Sequence, residues 1–468
     1  VEGADTSDLL ISSYSGTITD AAGGAAAAVS GDLGTVVVDA TSPDITGCAA
    51  TDAAYGVGEA ISITCTYNEA VTVTGTPTIT LSNNDVASYA SGSGSTDIVF
   101  STTVAEGDSA SSDLSVSSIS PTAGGATMKD ANANAVSTTI TGGDLGTVTV
   151  DGDAPDFVSV AATDGAYGVG ESLSITVTWD EAVVVSGTPT LTLSNGDTAS
   201  YASGTGTTDL VFSTTVAEGD SDSADLSVSS YGGTITDAAG GAAGAASGDL
   251  GAVTVDGDAP DLSSVTDTTG DGAYGVGEAI SITVTWDEAV VVSGTPTLAL
   301  SNSATASYAS GTGTTALVFT YTVAEGNSDS ADLSVTAYGG TITDAAGGPA
   351  AATGTVDLGS VTVDGDAPDL ASVAANDATY KIGDAIAITV TWDEAVVVSG
   401  TPTLTLSNSA TASYTSGTGN SALVFTYTVV EGADTSDLLI SSYSGTITDA
   451  AGGAAAAVSG DLGTVVVD

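Results

Sequence analysis

Apolar and polar residues alternate in short stretches along the whole chain. In residues 172–179 the odd positions are Leu, Ile, Val and Trp and the even positions are Ser or Thr, which is the pattern of a strand with one buried face. Further strands of the same repeat are predicted at residues 157–162, 190–193, 198–202, 210–216, 226–230 and 250–255. Glycine-rich turns separate them, and no stretch has a convincing helical period.

This density of short strands decides the fold class. About seven strands in roughly 105 residues predict an all-β chain of tandem immunoglobulin-like antiparallel β-sandwiches. Trp179, Trp286 and Trp392 hold equivalent positions, and Tyr67 takes that position in an earlier copy of the pattern. One ring on the apolar face of each copy predicts a core residue, whereas a sugar-binding surface would need a row of exposed rings.

A seven-residue motif separates the copies. Val-Asp-Gly-Asp-Ala-Pro-Asp occurs at residues 150–156, 255–261 and 363–369, with a weaker form at 38–44. The predicted domains are the C-terminal part of a truncated repeat at 1–39 and full repeats at 40–151, 152–256, 257–364 and 365–468. Residues 1–39 are identical to residues 430–468. We therefore expect the chain to belong to a longer array.

The chain is strongly acidic. It contains 58 Asp and Glu against two Lys, with no Arg or His, for a formal net charge of -56. Nucleic acid is excluded as a partner, because nothing here neutralises phosphate. A chain of this charge repels itself unless cations associate with it. Two interpretations stay open, namely a generic solubilising surface suited to saline surroundings and carboxylates gathered at particular cation sites.

The missing residue types also limit catalysis. Without His no Ser-His-Asp or Cys-His nucleophile can be assembled, and without Arg there is no bidentate anion clamp. A carboxylate pair is the remaining option, but acidic pairs recur at equivalent places in every repeat. The sequence therefore predicts a protein that is not an enzyme. No apolar run is long enough to span a bilayer, so no membrane insertion is expected in this segment.

Both cysteines lie in the first full repeat. Cys48 aligns with Val160, and Cys65 aligns with Val177, on inward positions of the first two strands. Two independent free thiols are one interpretation. We favour a disulfide between Cys48 and Cys65, which is typical of an oxidising, extracellular compartment.

Acidic residues lie where an up-and-down sandwich brings chain segments to one pole. In the second repeat they are Asp151 and Asp153 of the linker, Asp180 and Glu181 in a loop after the second strand, and Asp237 in the loop before the last strand. The facing pole of the preceding domain adds further carboxylates. Such crowding needs a cation, and six to eight oxygen ligands without His or Cys favour Ca²⁺ over Mg²⁺.

Four segments carry a family resemblance. They are the linker Asp-Gly-Asp-Ala-Pro-Asp, the strand end Ile-Thr-Val-Thr-Trp-Asp-Glu-Ala, the segment Gly-Thr-Pro-Thr-Leu-Thr-Leu and the loop Thr-Ile-Thr-Asp-Ala-Ala-Gly. Together they resemble the immunoglobulin-like tandem repeats of giant bacterial surface proteins, including the extender repeats of calcium-dependent adhesins and the long cell-surface repeats of marine cyanobacteria. The linker is also similar to that of cadherins, in which interdomain calcium stiffens the rod.

The resemblance implies calcium between the domains. By position it implies ligands at Asp151, Asp153, Asp180, Glu181, Asp256, Asp258, Asp287, Glu288, Asp364, Asp366, Asp393 and Glu394, and the gathering of carboxylates at one pole adds Asp237 and its equivalent Asp344. The linker near Asp39 departs from the pattern, because Thr41 replaces its second aspartate and Asn68 replaces Asp180. A weaker calcium site and a looser joint are expected there.

The leading functional hypothesis is a structural segment of a long extracellular fibre or adhesin stalk, with junction calcium setting its rigidity. One alternative is a self-assembling subunit of a cell-surface filament, sheath or surface layer, since the strand edges are weakly protected against pairing. A carbohydrate-binding module is a further alternative. The expected partners are calcium, neighbouring repeats of the same chain and, for the assembly hypothesis, other copies of the protein.

Overall fold

The computed structural model describes Thr6 and residues 9–468, which form β-structure joined by turns. Helical structure within these residues is one 3-10 turn at Ala123–Gly125, and no helix in the described part of the chain is long and apolar enough to cross a membrane. The all-β prediction is confirmed.

The strands are numbered along the chain. Those before residue 151 are β1 (Leu10–Ile11), β2 (Gly31–Asp32), β3 (Ile45–Ala49), β4 (Ala54–Tyr55), β5 (Ala60–Thr74), β6 (Thr78–Leu81), β7 (Val86–Ser91), β8 (Ser95–Thr103), β9 (Val116–Ser120), β10 (Thr127–Lys129) and β11 (Thr149–Val150). Those of residues 151–256 are β12 (Phe157–Ala162), β13 (Gly165–Tyr167), β14 (Ser172–Leu193), β15 (Thr198–Ser203), β16 (Thr207–Thr215), β17 (Ser227–Thr236), β18 (Gly248–Asp249) and β19 (Val253–Val255). Those of residues 257–364 are β20 (Leu262–Asp267), β21 (Gly272–Tyr274), β22 (Ala279–Leu300), β23 (Thr305–Ser310), β24 (Thr314–Thr322), β25 (Ser334–Thr343), β26 (Val356–Asp357) and β27 (Val361–Val363). The remaining strands are β28 (Leu370–Ala375), β29 (Ala378–Tyr380), β30 (Ala385–Leu406), β31 (Thr411–Ser416), β32 (Asn420–Thr428), β33 (Leu439–Thr448), β34 (Gly460–Asp461) and β35 (Val465–Val467).

The chain forms two compact units. One contains Val1–Asp164, Leu173–Thr214 and Asp225–Val253, and the other contains Gly165–Ser172, Thr215–Ala224 and Thr254–Asp468. The second predicted repeat contributes to both units. The predicted domain boundaries at residues 39, 151, 256 and 364 therefore stay predictions.

The third repeat, which lies wholly in the second unit, illustrates the strand order. β20 and β24 pair with the first half of β22, and β23 pairs with β24. β25 pairs with the second half of β22, and β26 pairs with β25. All these pairs are antiparallel, whereas β21 and β27 pair in parallel. β23 also pairs with the second half of β22. The first half of β22 therefore belongs to a sheet with β20, β24 and β23, and its second half pairs with β23 and β25, as in an immunoglobulin-like sandwich.

The first repeat, in the other unit, has the same order. β3 and β8 pair with β5, and β7 pairs with β8. β6 pairs with β7 and β9, so β5 and β6 together take the place of the long β22. The immunoglobulin-like prediction is confirmed by this recurring topology.

One strand prediction was wrong. The sequence suggested that Asp180 and Glu181 lie in a loop between two strands, but β14 continues unbroken through both residues. In the equivalent β22, pairing with β24 is interrupted between Thr285 and Val290, and pairing with β25 begins at Val291. The acidic pair therefore lies on an extended segment where the strand leaves one sheet and enters the other.

The alternating apolar residues fill the core. In the third repeat Ile280, Ile282 and Val284 are fully buried, and Trp286 is 1% exposed. The Trp286 ring meets Tyr338 edge-on, with ring centroids 6.2 Å apart. Burial of each large apolar side chain contributes about 1.5–3 kcal/mol. The predicted core role of the tryptophans, and of Tyr67 in the first repeat, is confirmed.

A disulfide joins the first two strands of the first full repeat. Cys48 on β3 lies opposite Cys65 on β5, and their sulfurs are 2.06 Å apart. The other repeats place two valines opposite each other at this register, as in Val265 and Val284. The disulfide therefore replaces an apolar contact within the core.

Residues 9–39 and their identical counterparts 438–468 differ in structure. Ile447 and Leu462 are each 2% exposed, whereas the corresponding Ile18 and Leu33 are 55% and 46% exposed. In the later copy β33 pairs with β30, a strand that lies N-terminal to the shared sequence. The alternating pattern therefore gives long strands only where a neighbouring strand is present to pair with it.

Candidate metal centres at the joints

Three acidic residues from different elements meet beside the linker at the first and fourth joints. At the fourth joint Asp364 follows β27, Glu394 lies within β30 and Asp449 follows β33, and one carboxylate oxygen from each lies within 4.8 Å of the others. Calcium binds oxygens at about 2.3–2.6 Å, so oxygens on opposite sides of one ion are roughly 5 Å apart. The spacing fits a single cation between the three carboxylates.

The other joints contain equivalent residues. Each joint contains a linker aspartate, a strand glutamate and a loop aspartate, which we call the trio of that joint. The trios are Asp39, Glu69 and Asp130 at the first joint; Asp151, Glu181 and Asp237 at the second; Asp256, Glu288 and Asp344 at the third; and Asp364, Glu394 and Asp449 at the fourth.

The loop aspartate is the buried member of the trio. Asp344 is 3% exposed, and its Oδ1 accepts hydrogen bonds from the backbone N–H groups of Ala346, Gly347 and Gly348. Its Oδ2 is buried and has no hydrogen-bond partner, and the same is true of Oδ2 in Asp237 and Asp449. A buried carboxylate oxygen without a partner is costly, so a hydrogen-bond donor or a cation beside these three oxygens would be stabilising.

A glycine keeps space open beside this oxygen. A Cβ on Gly348 would collide with Oδ2 of Asp344, and the corresponding clashes occur between Gly241 and Asp237 and between Gly453 and Asp449. Any side chain at these positions would fill the space next to the unpartnered oxygen. The glycines therefore leave room for the buried oxygen in a small cradle that a Cβ would fill.

The strand glutamate reports the charge that converges on each joint. Burial, and to a smaller extent the nearby charges of Asp151, Asp237, Asp180 and Asp153, raise the pKa of Glu181 to about 7. The pKa values of Glu288 and Glu394 rise to about 7 for the same reasons. At the second, third and fourth joints every predicted acidic residue thus lies close enough to act electrostatically on the strand glutamate, or is that glutamate itself.

The other two predicted residues of each joint lie at its exposed side. Asp153 and Asp180 are exposed, and Asp180 Oδ1 accepts a 2.8 Å hydrogen bond from the backbone N–H of Asp156. Asp287 and Asp393 make the same bond to the ends of their linkers. One oxygen of this aspartate therefore fixes the linker to the long strand.

The preceding repeat also contributes carboxylates. Asp222 accepts a 3.0 Å hydrogen bond from the N–H of Gly257, and Glu218 accepts one of 3.2 Å from Ala259. The charge of Asp222 also raises the pKa of Asp256, although burial is the larger cause. Asp329 has the same relation to Gly365 and Asp364. The sequence placed these residues at the facing pole but did not select them as ligands.

The first joint also brings its trio together. Oxygens of Asp39, Glu69 and Asp130 lie within 4.8 Å of one another, although the sequence predicted a weaker site here. Asn132 donates a 2.6 Å hydrogen bond to Asp39 Oδ2, and Asn134 donates one of 2.8 Å to Asp130 Oδ2. The carboxylates of this joint therefore converge on amide groups of the protein itself.

Sequence reasoning missed Asp449 and the first trio as candidate ligands. Asp449 occupies the same Thr-Ile-Thr-Asp-Ala-Ala-Gly loop as Asp237 and Asp344, so extending the alignment to the last repeat would have found it. Asp130 lies in a diverged loop, Met-Lys-Asp-Ala-Asn. Its equivalence becomes clear only from its position after β10 and its burial at 6% exposure.

Comparisons with known proteins add little to this picture. No family model and no characterised protein sequence matches the chain. Among solved structures, the I9–I11 tandem from titin is similar at a TM-score of 0.22 and 10% identity, over 66% of this chain and 100% of that one. Domains 5–6 of the S-layer protein SbsC are similar at a TM-score of 0.12 and 14% identity, over 43% and 98%. Similarity at this level carries no functional information.

Proposed function

We propose that this chain is a structural segment of a long extracellular fibre or adhesin stalk, in which Ca²⁺ bound at the second, third and fourth joints sets rigidity. The observation that carries the proposal is the buried, unpartnered Oδ2 of Asp237, Asp344 and Asp449. Each faces a cradle that a glycine keeps open. An acidic surface that served only solubility would have no reason to bury a carboxylate oxygen without a partner.

The donor set favours calcium among the common metal ions. Each joint offers carboxylate oxygens without His or Cys, which selects a hard cation, and more than four acidic residues surround each of the three joints. Calcium accepts six to eight oxygens in flexible geometry, whereas magnesium requires a tighter octahedron. Extracellular calcium modules bind with dissociation constants of about 10⁻⁴–10⁻³ M, which suits surroundings rich in calcium.

The joint residues would act mechanically rather than chemically. The linker aspartate belongs to the connecting segment, the strand glutamate and loop aspartate belong to the following repeat, and Asp222 and Asp329 come from the preceding one. A cation shared by these groups would hold the linker against both neighbours. Without it, like charges at each joint repel one another and favour bending.

The Cys48–Cys65 disulfide supports an extracellular location. Disulfides persist in oxidising compartments and are rare in the cytosol. In a fibre the bond would add stability to the first full repeat. The proposed location therefore rests on the disulfide together with the calcium requirement.

Terbium luminescence tests the proposal directly. Trp286 immediately precedes Asp287 and Glu288, so a Tb³⁺ ion in the third joint is close enough to be excited through the indole ring. We expect sensitised emission that calcium displaces and that Asp344→Asn reduces by about one third, since two other joints remain. Asp332→Asn, an exposed carboxylate outside the joints, is the matched control. Emission that is equal in both variants would contradict the proposal.

A further inference from the structure

The first joint differs from the other three at Oδ2 of the loop aspartate. Asp130 is buried like the other loop aspartates, and its Oδ1 accepts backbone hydrogen bonds from Asn132 and Asn134 at 2.7 and 2.8 Å. Its Oδ2, however, accepts a hydrogen bond from the side-chain amide of Asn134. The group that is unpartnered at three joints therefore has a protein partner at the first.

The same loop also covers the linker aspartate. Asn132 donates to Asp39 Oδ2 at 2.6 Å, and Asn134 Nδ2 also donates to the backbone oxygen of Asp39 at 3.1 Å. Asp39 Oδ1 accepts a further hydrogen bond from the N–H of Thr41. An asparagine side chain that lies against carboxylates presents its Nδ2 group to them, because the carboxylates would repel its oxygen. Both loop asparagines thus present positive hydrogen atoms to the cluster.

These asparagines occupy positions that hold an alanine and a glycine in the loops of the other joints. Asn132 aligns with Ala239, and Asn134 aligns with Gly241. Gly241 has no side chain to fill the space beside Oδ2 of Asp237. An amide at the glycine position fills the cradle and supplies the donor that the buried oxygen lacks elsewhere. The first joint thus combines a filled cradle with a satisfied carboxylate.

The first joint also has fewer acidic residues than the second. Thr41 stands where the second joint has Asp153, and Asn68 stands where it has Asp180. Asn68 keeps the structural bond of that position, accepting a 2.8 Å hydrogen bond from the N–H of Asp44. The joint has therefore lost two acidic groups without losing the contact that fixes the linker.

We propose that the first joint is closed by the side-chain amides of Asn132 and Asn134 in place of a cation, so that the chain contains joints of two kinds. This proposal rests on the proposed calcium function of the other joints. A cation at the first joint would have to displace two charge-assisted hydrogen bonds and would gain fewer carboxylates in return. The first joint therefore stays ordered when calcium is removed, while the others loosen.

Hydrogen exchange of the full chain, followed by mass spectrometry with calcium and with chelator, tests this proposal. The readout is the exchange rate of the loops at residues 130–136, 237–243 and 344–350. The loop at Asp449 is omitted, because it and its flanking residues recur unchanged at Asp20, whereas the flanks of residues 237–243 are distinct. We expect calcium to slow exchange by roughly tenfold or more at the second and third joints and to leave residues 130–136 unchanged and protected in both conditions.

Variants that swap loop residues between the first and second joints provide matched comparisons. Asn132→Ala with Asn134→Gly gives the first joint the second joint's residues at these positions, and we expect its loop to lose protection in chelator. Asn134→Asp keeps the size of the side chain but replaces a donor with a like charge, and should have the same effect. The reverse change, Ala239→Asn with Gly241→Asn, should make the second joint insensitive to calcium.

The unaltered chain alone separates the possible outcomes. If calcium slows exchange at residues 130–136 as much as at 237–243, the amide closure is wrong and the calcium function stands. If calcium slows exchange at none of the loops, the proposed calcium function fails and the amide closure fails with it. Rapid exchange at residues 130–136 in chelator would also contradict the proposal, because a joint closed by amides is ordered without an ion.

Discussion

Removal of the Cys48–Cys65 disulfide should destabilise the first full repeat without affecting the others. The two cysteines are 17 residues apart, and a crosslink across a loop of this length stabilises a fold by about 3 kcal/mol through the entropy of the unfolded chain. Replacing both residues by valine copies the pair that other repeats carry, as in Val160 opposite Val177. The double variant therefore removes the crosslink while keeping an apolar pair that this fold accommodates.

The chain offers an internal control for this experiment. The first repeat has Tyr67 where the other repeats have Trp179, Trp286 and Trp392, so tryptophan fluorescence reports unfolding only outside the first repeat. Hydrogen exchange of residues 60–103 reports the first repeat itself. We expect Cys48→Val with Cys65→Val to speed exchange there by on the order of 10²-fold, since each 1.4 kcal/mol is about tenfold. The tryptophan transition should not move.

Two results would refute this reasoning. Unchanged exchange in the first repeat would mean that the crosslink contributes little, because the unfolded chain is already compact there. A shift of the tryptophan transition would mean that the repeats do not unfold independently. Chemical reduction of the unaltered chain should reproduce the effect of the variant.

Three further predictions concern the calcium joints. About 10 mM calcium should stabilise the calcium-dependent repeats by roughly 1.4–2.7 kcal/mol for dissociation constants of about 10⁻⁴–10⁻³ M, seen as a higher midpoint of the tryptophan melting curve; an unchanged midpoint would contradict this. The pKa of Glu288 is raised from 4.5 to about 7 in the folded protein. Without calcium, Glu288 therefore contributes fully to the free energy of unfolding below its ordinary pKa of 4.5, and this contribution is lost as the pH rises through about 7. Calcium needs the ionised form, so binding should release protons near neutral pH and almost none near about pH 9, as calorimetry in buffers of different ionisation enthalpy would measure; equal release at both would be inconsistent with a raised pKa. Gly348→Ala should weaken calcium binding at the third joint by filling the space beside Asp344, whereas Gly354→Ala, with open space around it, should not; equal titrations of the two variants would count against the cradle.

Much of the fold could be predicted because strand alternation and joint spacing are local signals. The opposed positions of Cys48 and Cys65 followed from aligning repeats, and the structure places them on facing strands. The course of β14 could not be predicted, because residues such as Asp180 and Glu181 are rare in strands. What keeps them extended is tertiary, namely the hydrogen bonds that tie Asp180 to Asp156.

The candidate site was predictable in composition but not in its burial. The sequence grouped Asp237 with the linker aspartates by counting strand directions, and the charges acting on Glu181 agree with that grouping. Nothing in the sequence distinguished the buried Asp237 from the exposed Asp153, because burial depends on how the loop folds back on itself. The role of Asn134 was missed for the same reason, since its amide matters only through contact with Asp130.

In the proposed function a bound cation stiffens three of the joints. Small-angle X-ray scattering of the full chain, with calcium and with chelator at fixed ionic strength, measures this stiffening. We expect calcium to increase the maximum dimension or narrow its distribution, and we expect the combined variant Asp237→Asn, Asp344→Asn and Asp449→Asn to abolish the response. Identical scattering of the unaltered chain in calcium and chelator would contradict the claim and leave the acidic joints as a solvated surface.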